Sequence, residues 1–339
     1  MTVRGGIALV TGASGFVGRE VVAALCRRGI AVRAGVRTRG GAGRRRGCTG
    51  AETVHLDLRD IDSVRAALDG VTAVYHFAAV MRSGRRDELE VVNVQGTEQL
   101  WHAAADCGVE RALYCSTVSV YGLLAGSGHP IAESTAPRAI EAYGRAKLAG
   151  ECAALAIGRA RAMTTVVIRP AAVLGPGERS AFGRAIRRAA LSRLLIPGRY
   201  PHNRFSYVHV ADVAEAAVHV MELPDPDGEI FNVAVEPPIS FAQAFEVYLD
   251  VLRRSRRGGA GGGGNWLWRP ALLARLSAFV QRRPTLARRL LDGTGRFSPV
   301  FPVWQVDREL IFTSRKLLAT NFRYVWSDFG DVLASCIAG

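Results

Sequence analysis

No Cys-x-x-Cys pair occurs in this chain, and its six cysteines (Cys26, Cys48, Cys107, Cys115, Cys152 and Cys336) lie far apart. That spacing excludes the paired thiols of structural zinc and of dithiol redox chemistry, and the cysteines read as reduced thiols with no metal site among them. No apolar run approaches the ~20 residues that span a bilayer. The amino-terminal sequence MTVRGGIALVTGASG has too short an apolar stretch for a signal peptide and runs straight into a glycine loop, so the expected compartment is the cytoplasm. Self-similarity at a period of roughly 20 to 50 residues is also missing, which sets aside solenoids and propellers.

What is present suits a globular enzyme. A chain of 339 residues can bury a large core, and with 49% apolar and 22% charged residues most of it should fold. The net charge of +14 raises nucleic acid or an anionic surface as partners. The arginines, however, are scattered through every predicted element with no basic stripe interleaved with aromatics, so no nucleic-acid partner is expected. A positive field also favours an anionic dinucleotide.

Short apolar runs at Ile7 to Val10, Ala31 to Val36, Thr53 to Leu56, Ala73 to Phe77, Ala112 to Cys115 and Thr165 to Ile168 read as strands buried on both faces. Helical patterns fall between them near 17–28, 61–69, 87–107 and 141–158. This alternation predicts an α/β fold with a doubly wound parallel sheet of the Rossmann type over residues 1–170. From Pro170 the rhythm breaks at Gly175-Pro176-Gly177 and Pro197-Gly198, and a smaller substrate-binding lobe is expected over 171–339. Tyr207 to Val210, a helix over Val213 to Met221 and Ile230 to Val233 should rejoin the main sheet, at about 205–235. The run at 253–264 (RRSRRGGAGGGG) has the composition of a flexible linker. An amphipathic pattern at 266–283 suits a lid, a peripheral membrane contact or ordinary packing.

Thr11-Gly12-Ala13-Ser14-Gly15-Phe16-Val17-Gly18 follows the first strand and opens the first helix, the context of a dinucleotide fingerprint. The glycines permit a tight turn, and the helix amino terminus offers N–H groups to a pyrophosphate. The second strand ends without the acid that accepts a ribose 2′-hydroxyl. Arg37 stands there instead, which favours a 2′-phosphate, with Arg33 and Arg39 as helpers. NADP(H) is therefore preferred, with NAD(H) also accommodated; a solvated arginine is the bland alternative, as the run Arg44-Arg45-Arg46 illustrates. Asp57-Leu58, past the third strand, sits where a carboxylate can reach the adenine amino group.

Tyr143 and Lys147 lie four residues apart on a predicted helix and so share a face. A free phenol has a pKa of ~10, and a neighbouring cation is expected to bring it down, making Tyr143 an acid or base toward a carbonyl or alcohol. A hydroxyl in Cys115-Ser116-Thr117, at the end of the fifth strand, is placed to hydrogen-bond the reacting oxygen.

With these motifs assembled, the sequence resembles the extended short-chain dehydrogenase/reductase superfamily, also called the NAD-dependent epimerase/dehydratase family. Thr11 to Gly18, Asp57-Leu58, His76-Phe77-Ala78-Ala79, Asn93-Val94-Gln95-Gly96-Thr97, Ser116 to Gly122, Tyr143 to Lys147 and Arg169-Pro170 follow its pattern in order. The resemblance implies that Thr117, Tyr143 and Lys147 are catalytic and that Lys147 also holds the nicotinamide ribose. It also implies that Ala78, Ala79, Pro170 and Val173 border the cofactor, that Val80 and Met81 border the substrate, and that the protein is a homodimer through the helices near 87–107 and 141–158. Nucleotide-sugar epimerases carry an Asn and an Arg where this chain has Ala172 and Phe205, and Arg204 would point elsewhere. The second strand, V-R-A-x-V-R, resembles instead the 3β-hydroxysteroid dehydrogenase and dihydroflavonol reductase branch. The expected activity is interconversion of a carbonyl and an alcohol on an apolar small molecule. The alternatives are an epimerase with tightly bound NAD and a non-enzymatic dinucleotide sensor. His209 reads as a packed strand histidine rather than an acid or ligand.

Overall fold

The computed structural model describes residues 6–37, 50–81, 87–124, 129–178, 203–240, 243–244, 246–247, 250–251 and 309–338. The segments 253–264 and 266–283, Pro197-Gly198, Arg39 and Arg44 to Arg46 lie outside the described residues. The chain divides into two compact units: residues 1–175, 206–237 and 311–327 form the first, and 176–205, 238–310 and 328–339 the second.

In chain order the elements begin β1 (Ile7–Thr11), α1 (Gly18–Arg27), β2 (Ala31–Val36), β3 (Ala51–His55), α2 (Ile61–Leu68) and β4 (Val71–His76). There follow α3 (Glu88–Glu90), a π-helical turn (Val91–Gln95), α4 (Gly96–Asp106), β5 (Arg111–Cys115), a 3-10 segment (Val118–Leu124), α5 (Ala142–Ala160) and β6 (Thr164–Pro170). The last are β7 (Ala172–Leu174), β8 (Arg204–Phe205), β9 (Tyr207–His209), α6 (Val210–Met221), β10 (Ile230–Val233), β11 (Ile239–Ser240), α7 (Arg315–Ala319) and α8 (Phe329–Ala338). Seven parallel strands form one sheet in the order β10-β6-β5-β4-β1-β2-β3. This is the doubly wound Rossmann-type sheet.

Alternation along the strands supplies both faces of the core. Ala8, Val10, Tyr75, Leu113, Val166 and Ile168 pack with α1 and α6 on one side. Leu9, Val74, Ala112, Tyr114 and Val167 pack with α2, α4 and α5 on the other. In the central strands apolar residues at consecutive positions are therefore buried, as a two-sided parallel sheet requires, whereas the edge strand β3 is exposed at Glu52 and Thr53 and half-buried elsewhere, not buried on both faces as its sequence suggested. Within the second unit, β8 pairs with β11, Phe205 is buried and Arg204 is held by Glu309.

Of the two strands expected to rejoin the main sheet only β10 does so, while β9 pairs with β7 in a separate two-stranded sheet, and two helical elements also differ from the sequence-based expectation. The helix expected to start at Val213 starts at Val210, because His209 caps it: its Nδ1 accepts the Ala211 N–H at 3.2 Å. His209 is buried, stacks on Trp326 with ring centroids 4.1 Å apart, and burial drives its pKa down to about 4. The helical run expected over 87–107 contains the π-helical turn, which sets Asn93 out of the α-helical register.

Candidate active site

Because every strand of the sheet is parallel, the motifs that follow them collect along one edge. Thr11 leads into the glycine loop from β1, Arg37 follows β2, Asp57 follows β3, Ala78 follows β4, Thr117 follows β5 and Pro170 ends β6. Ligands of open α/β sheets bind outside such carboxyl ends, where the strand order reverses. Here that reversal falls between β1 and β4.

The glycine loop is shaped for close approach. Gly12 has φ +65°, and a Cβ there would lie 2.7 Å from the Ala78 backbone nitrogen. Ser14 and Gly15 are exposed at the tip, Phe16 and Val17 are half-buried, Gly18 is buried, and α1 starts without a side-chain cap. An uncapped helix start behind a backbone-lined loop fits the pyrophosphate of a dinucleotide.

A buried chain of hydrogen bonds ties this loop to the neighbouring strand. Thr97 Oγ1 donates to the Asn93 carbonyl at 2.9 Å, so at its 3.3 Å contact with His76 it accepts, and Nε2 must carry the ring proton. Nδ1 is then the acceptor for the Thr11 hydroxyl, 2.7 Å away, whose oxygen takes the Phe77 and Ala78 N–H groups at 3.2 Å each. Burial holds His76 well below its usual range, with Lys147 adding to the effect, so the ring stays neutral. The amide of Asn93 clamps Val80 through both its N–H and its carbonyl, each at 2.8 Å. Ala79 and Met81, on either side of Val80, are exposed.

At the other end of the nucleotide edge, Arg37 is exposed. Asp57 is held by Arg59 through side chain and backbone, which with Arg37 brings it down to about 2. Leu58 is buried against Gly96. Arg33 does not help Arg37. Its guanidinium bonds Glu52 at 2.9 Å and the carbonyls of Ala67 and Asp69 at 3.1 and 2.6 Å, four residues back along β2 and so about 13 Å from Arg37.

The β5 edge meets the start of α5. Thr117 Oγ1 caps the 3-10 segment, accepting the Ser119 N–H at 3.2 Å and contacting the Ser119 hydroxyl at 3.3 Å. Gly144 lets α5 settle onto that segment, since a Cβ there would be 2.9 Å from the Ser119 carbonyl oxygen. The Arg138 N–H bonds the Val120 carbonyl at 2.9 Å and zips the approach to α5 onto the same turn. Tyr143 and Lys147 follow on the first two turns, Lys147 with 2% of its surface exposed.

The electrostatics of this pair correct one expectation. Burial pushes Tyr143 up, not down, with the Cys115 thiol adding to the rise. Lys147 falls to about 8 through burial, opposed by Cys115 and Glu151. Its Nζ lies 4.0 Å from the centroid of the Tyr114 ring. Desolvation, not the neighbouring cation, sets the state of the phenol, so Tyr143 carries its proton at neutral pH. Cys115, at the end of β5, is itself raised to about 11 by burial.

Behind Lys147, Glu151 and Arg169 form a buried bidentate pair, and Arg169 Nη1 donates to Tyr121 at 2.8 Å. Tyr121 donates to Asn232 Oδ1 at 2.9 Å. Pro170 and Val173 follow Arg169, with Pro170 buried and Val173 packed on the core. No local pattern singles out Tyr114 or Glu151, and although Asn93 belongs to the Asn93 to Thr97 motif, the clamp its amide forms on Val80 is set by the fold. One signal was in plain view: Lys147 is one of only two lysines among the 44 lysine and arginine residues.

A model of the NAD dependent epimerase/dehydratase family matches residues 8–234. The chain belongs to that family. Among relatives in the epimerase/dehydratase family, sterol demethylase protein B of Methylococcus capsulatus is 34% identical over 223 residues, 63% of this chain and 65% of that protein. The match thus spans just under two thirds of the Methylococcus protein. The 3 beta-hydroxysteroid dehydrogenase/Delta 5-->4-isomerase of Mycobacterium tuberculosis is 29% identical over 255 residues, 71% of this chain and 68% of that one. Among solved structures, gox2253 aligns with a TM-score of 0.73 and 26% identity, covering 98% of this chain and 97% of its own. MoeE5, solved with UDP-glucuronic acid and NAD, aligns with a TM-score of 0.63 and 27% identity over 73% of this chain and 82% of its own. Family membership makes the protein an extended short-chain dehydrogenase/reductase, a group of NAD-dependent oxidoreductases and epimerases. Among the described residues no helix is long and apolar enough to cross a membrane.

Proposed function

We propose that the protein is an NAD(P)H-dependent reductase that converts a carbonyl on an apolar small molecule to an alcohol, with Tyr143 as the proton donor. The observation that carries this reading is a half-buried phenol, its pKa raised so that it keeps its proton, on the same helix face as a buried lysine, at the sheet edge that also holds Thr117. When bound, the nicotinamide supplies hydride to the substrate carbon. Tyr143 gives its proton to the carbonyl oxygen as charge develops there, and Thr117 hydrogen-bonds the same oxygen. Lys147 offsets the charge left on the Tyr143 oxygen and orients the nicotinamide ribose. The loop from Gly12 to Gly18 holds the pyrophosphate, Arg37 selects the 2′-phosphate of NADPH, and Asp57 faces the adenine.

The apolar substrate is supported by where large hydrophobic side chains remain exposed. Of the three large hydrophobic side chains exposed among the described residues, Met81 and Ile140, 59% and 45% exposed, lie on the loops after β4 and before α5, while the third, Val325, lies beside α6. Ala172 and Phe205, where epimerases carry Asn and Arg, point the same way. The test is NADPH and NADH oxidation by purified protein with a panel of apolar ketones, quinones and nucleotide sugars. Tyr143→Phe should lower turnover of the best ketone by roughly 10²- to 10⁴-fold with folding unchanged; undiminished turnover would overturn the assignment. A second reading, epimerisation with tightly held NAD, is favoured by the likeness to MoeE5. NAD released only on denaturation, with nucleotide-sugar interconversion and no net NADPH oxidation, would establish it instead.

A further inference from the structure

We propose that Tyr114 is a positioning residue for Lys147: its ring face carries the ammonium group while its hydroxyl pins the backbone of the same lysine. This rests on the reading of Lys147 as part of the catalytic pair. Two separate contacts made by one side chain support it. Lys147 Nζ lies 4.0 Å from the Tyr114 ring centroid, well inside the ~6 Å reach of a cation–π interaction. The Tyr114 hydroxyl donates to the Lys147 carbonyl at 3.1 Å. The ring is held in an aromatic cluster, with the His76 and Trp101 centroids 5.7 and 5.9 Å away and 5.6 Å from each other. Room for its hydroxyl depends on Gly150, where a Cβ would sit 2.5 Å from Tyr114 Oη.

The carboxylate that bears on the Lys147 charge is committed elsewhere. Glu151, one turn along α5, is held by both arms of Arg169. The negative face of Tyr114 adds to the support that Lys147 receives on the β5 side, where its other neighbour is Cys115. Neutral His76 faces it from β4, and Tyr143 and Glu151 share its own helix. Composition argues for the same special role. In a chain where almost every cation is arginine, position 147 keeps a lysine, the cation whose charge can be tuned.

Having only two lysines makes a direct test practical. Full-length protein labelled with [ε-13C]lysine gives two resonances, and Lys316, paired with Glu229 at the surface, serves as internal control. The Lys147 midpoint should lie near 8 in the wild type and stay within a few tenths of a unit in Tyr114→Phe. It should fall by about one unit in Tyr114→Leu, which loses the ring. Water entering a Leu cavity would move it upward, so an unchanged or raised midpoint overturns the proposal. Should Leu prevent folding, 3,4,5-trifluorophenylalanine at 114 preserves the shape and weakens the ring face; its midpoint must still fall below that of Phe. The alkaline limb of the kcat profile should follow the resonance. A resonance that moves while the rate profile stays put would refute the catalytic role of Lys147 and leave the platform standing.

Discussion

Gly150→Ala sets two effects against each other, and the structure decides between them. On helix propensity alone the change should stabilise the interior of α5 by about 1 kcal/mol. The added Cβ, however, would lie 2.5 Å from Tyr114 Oη and nearer still to the Asn93 carbonyl oxygen. Ordinary carbon–oxygen contacts begin at about 3.3 Å, so at least 0.8 Å must be found. Neither neighbour can give easily. The Asn93 carbonyl sits in the π-helical turn and also receives Thr97, while the Asn93 side chain clamps Val80. Tyr114 is packed in one cluster with the His76 and Trp101 rings. Overpacking of this kind costs roughly 1–3 kcal/mol, and losing the Tyr114–Lys147 hydrogen bond about 0.5–1.5 more. The expected result is a net loss of ~1–3 kcal/mol by urea unfolding. Because α5 must move away from β5 with Tyr143 and Lys147 on it, kcat should fall by about 10- to 100-fold. The exposed neighbour provides the control: Ala149→Gly should cost only the propensity difference, about 1 kcal/mol, and leave kcat alone. If Gly150→Ala proves as stable as the wild type or more so, the close approach of α5 to the π-helical turn is not what the glycine is for.

Three further outcomes follow from the same geometry. Glu151→Leu should cost about 3–5 kcal/mol by leaving the Arg169 guanidinium buried without a counter-ion, and Glu151→Leu with Arg169→Met should recover most of it in the same urea assay. His76 and His209 are both buried neutral, so their folded pKa values lie below that of the unfolded chain. The unfolded state therefore binds more protons, and their stabilisation is complete above about pH 6.5 and lost as pH falls from there toward 4. The slope should reach about 1.4 kcal/mol per pH unit for each histidine, and a urea midpoint flat across that window would count against the buried neutral rings. Arg37→Ala should raise KM for NADPH about 10- to 100-fold and leave KM for NADH nearly unchanged; equal effects on both would remove Arg37 from 2′-phosphate selection.

Much of this arrangement is legible in the residues because it is local. Six two-sided apolar runs with helical stretches between them are a parallel sheet in outline, and a glycine loop after the first run says where phosphate binds. The ends of elements were less legible. The start of α6 depends on His209 turning back to cap it, and the break before α4 depends on a π-helical turn whose cause lies in the packing of Asn93 on Val80 and Gly150.

The order of motifs along the chain, the i to i+4 pairing of Tyr143 with Lys147 and the arginine at the end of β2 were all set by sequence alone, because each depends on spacing within one element. What only the tertiary structure decided is the state of those groups. Parallel register brings Thr11, Ala78 and Thr117 to one edge, burial raises the Tyr143 phenol's pKa where spacing alone predicted a fall, and the Tyr114 ring from a separate strand meets the lysine's ammonium group. Desolvation and ring contacts are set by distances between residues far apart in the chain, and no local pattern encodes them.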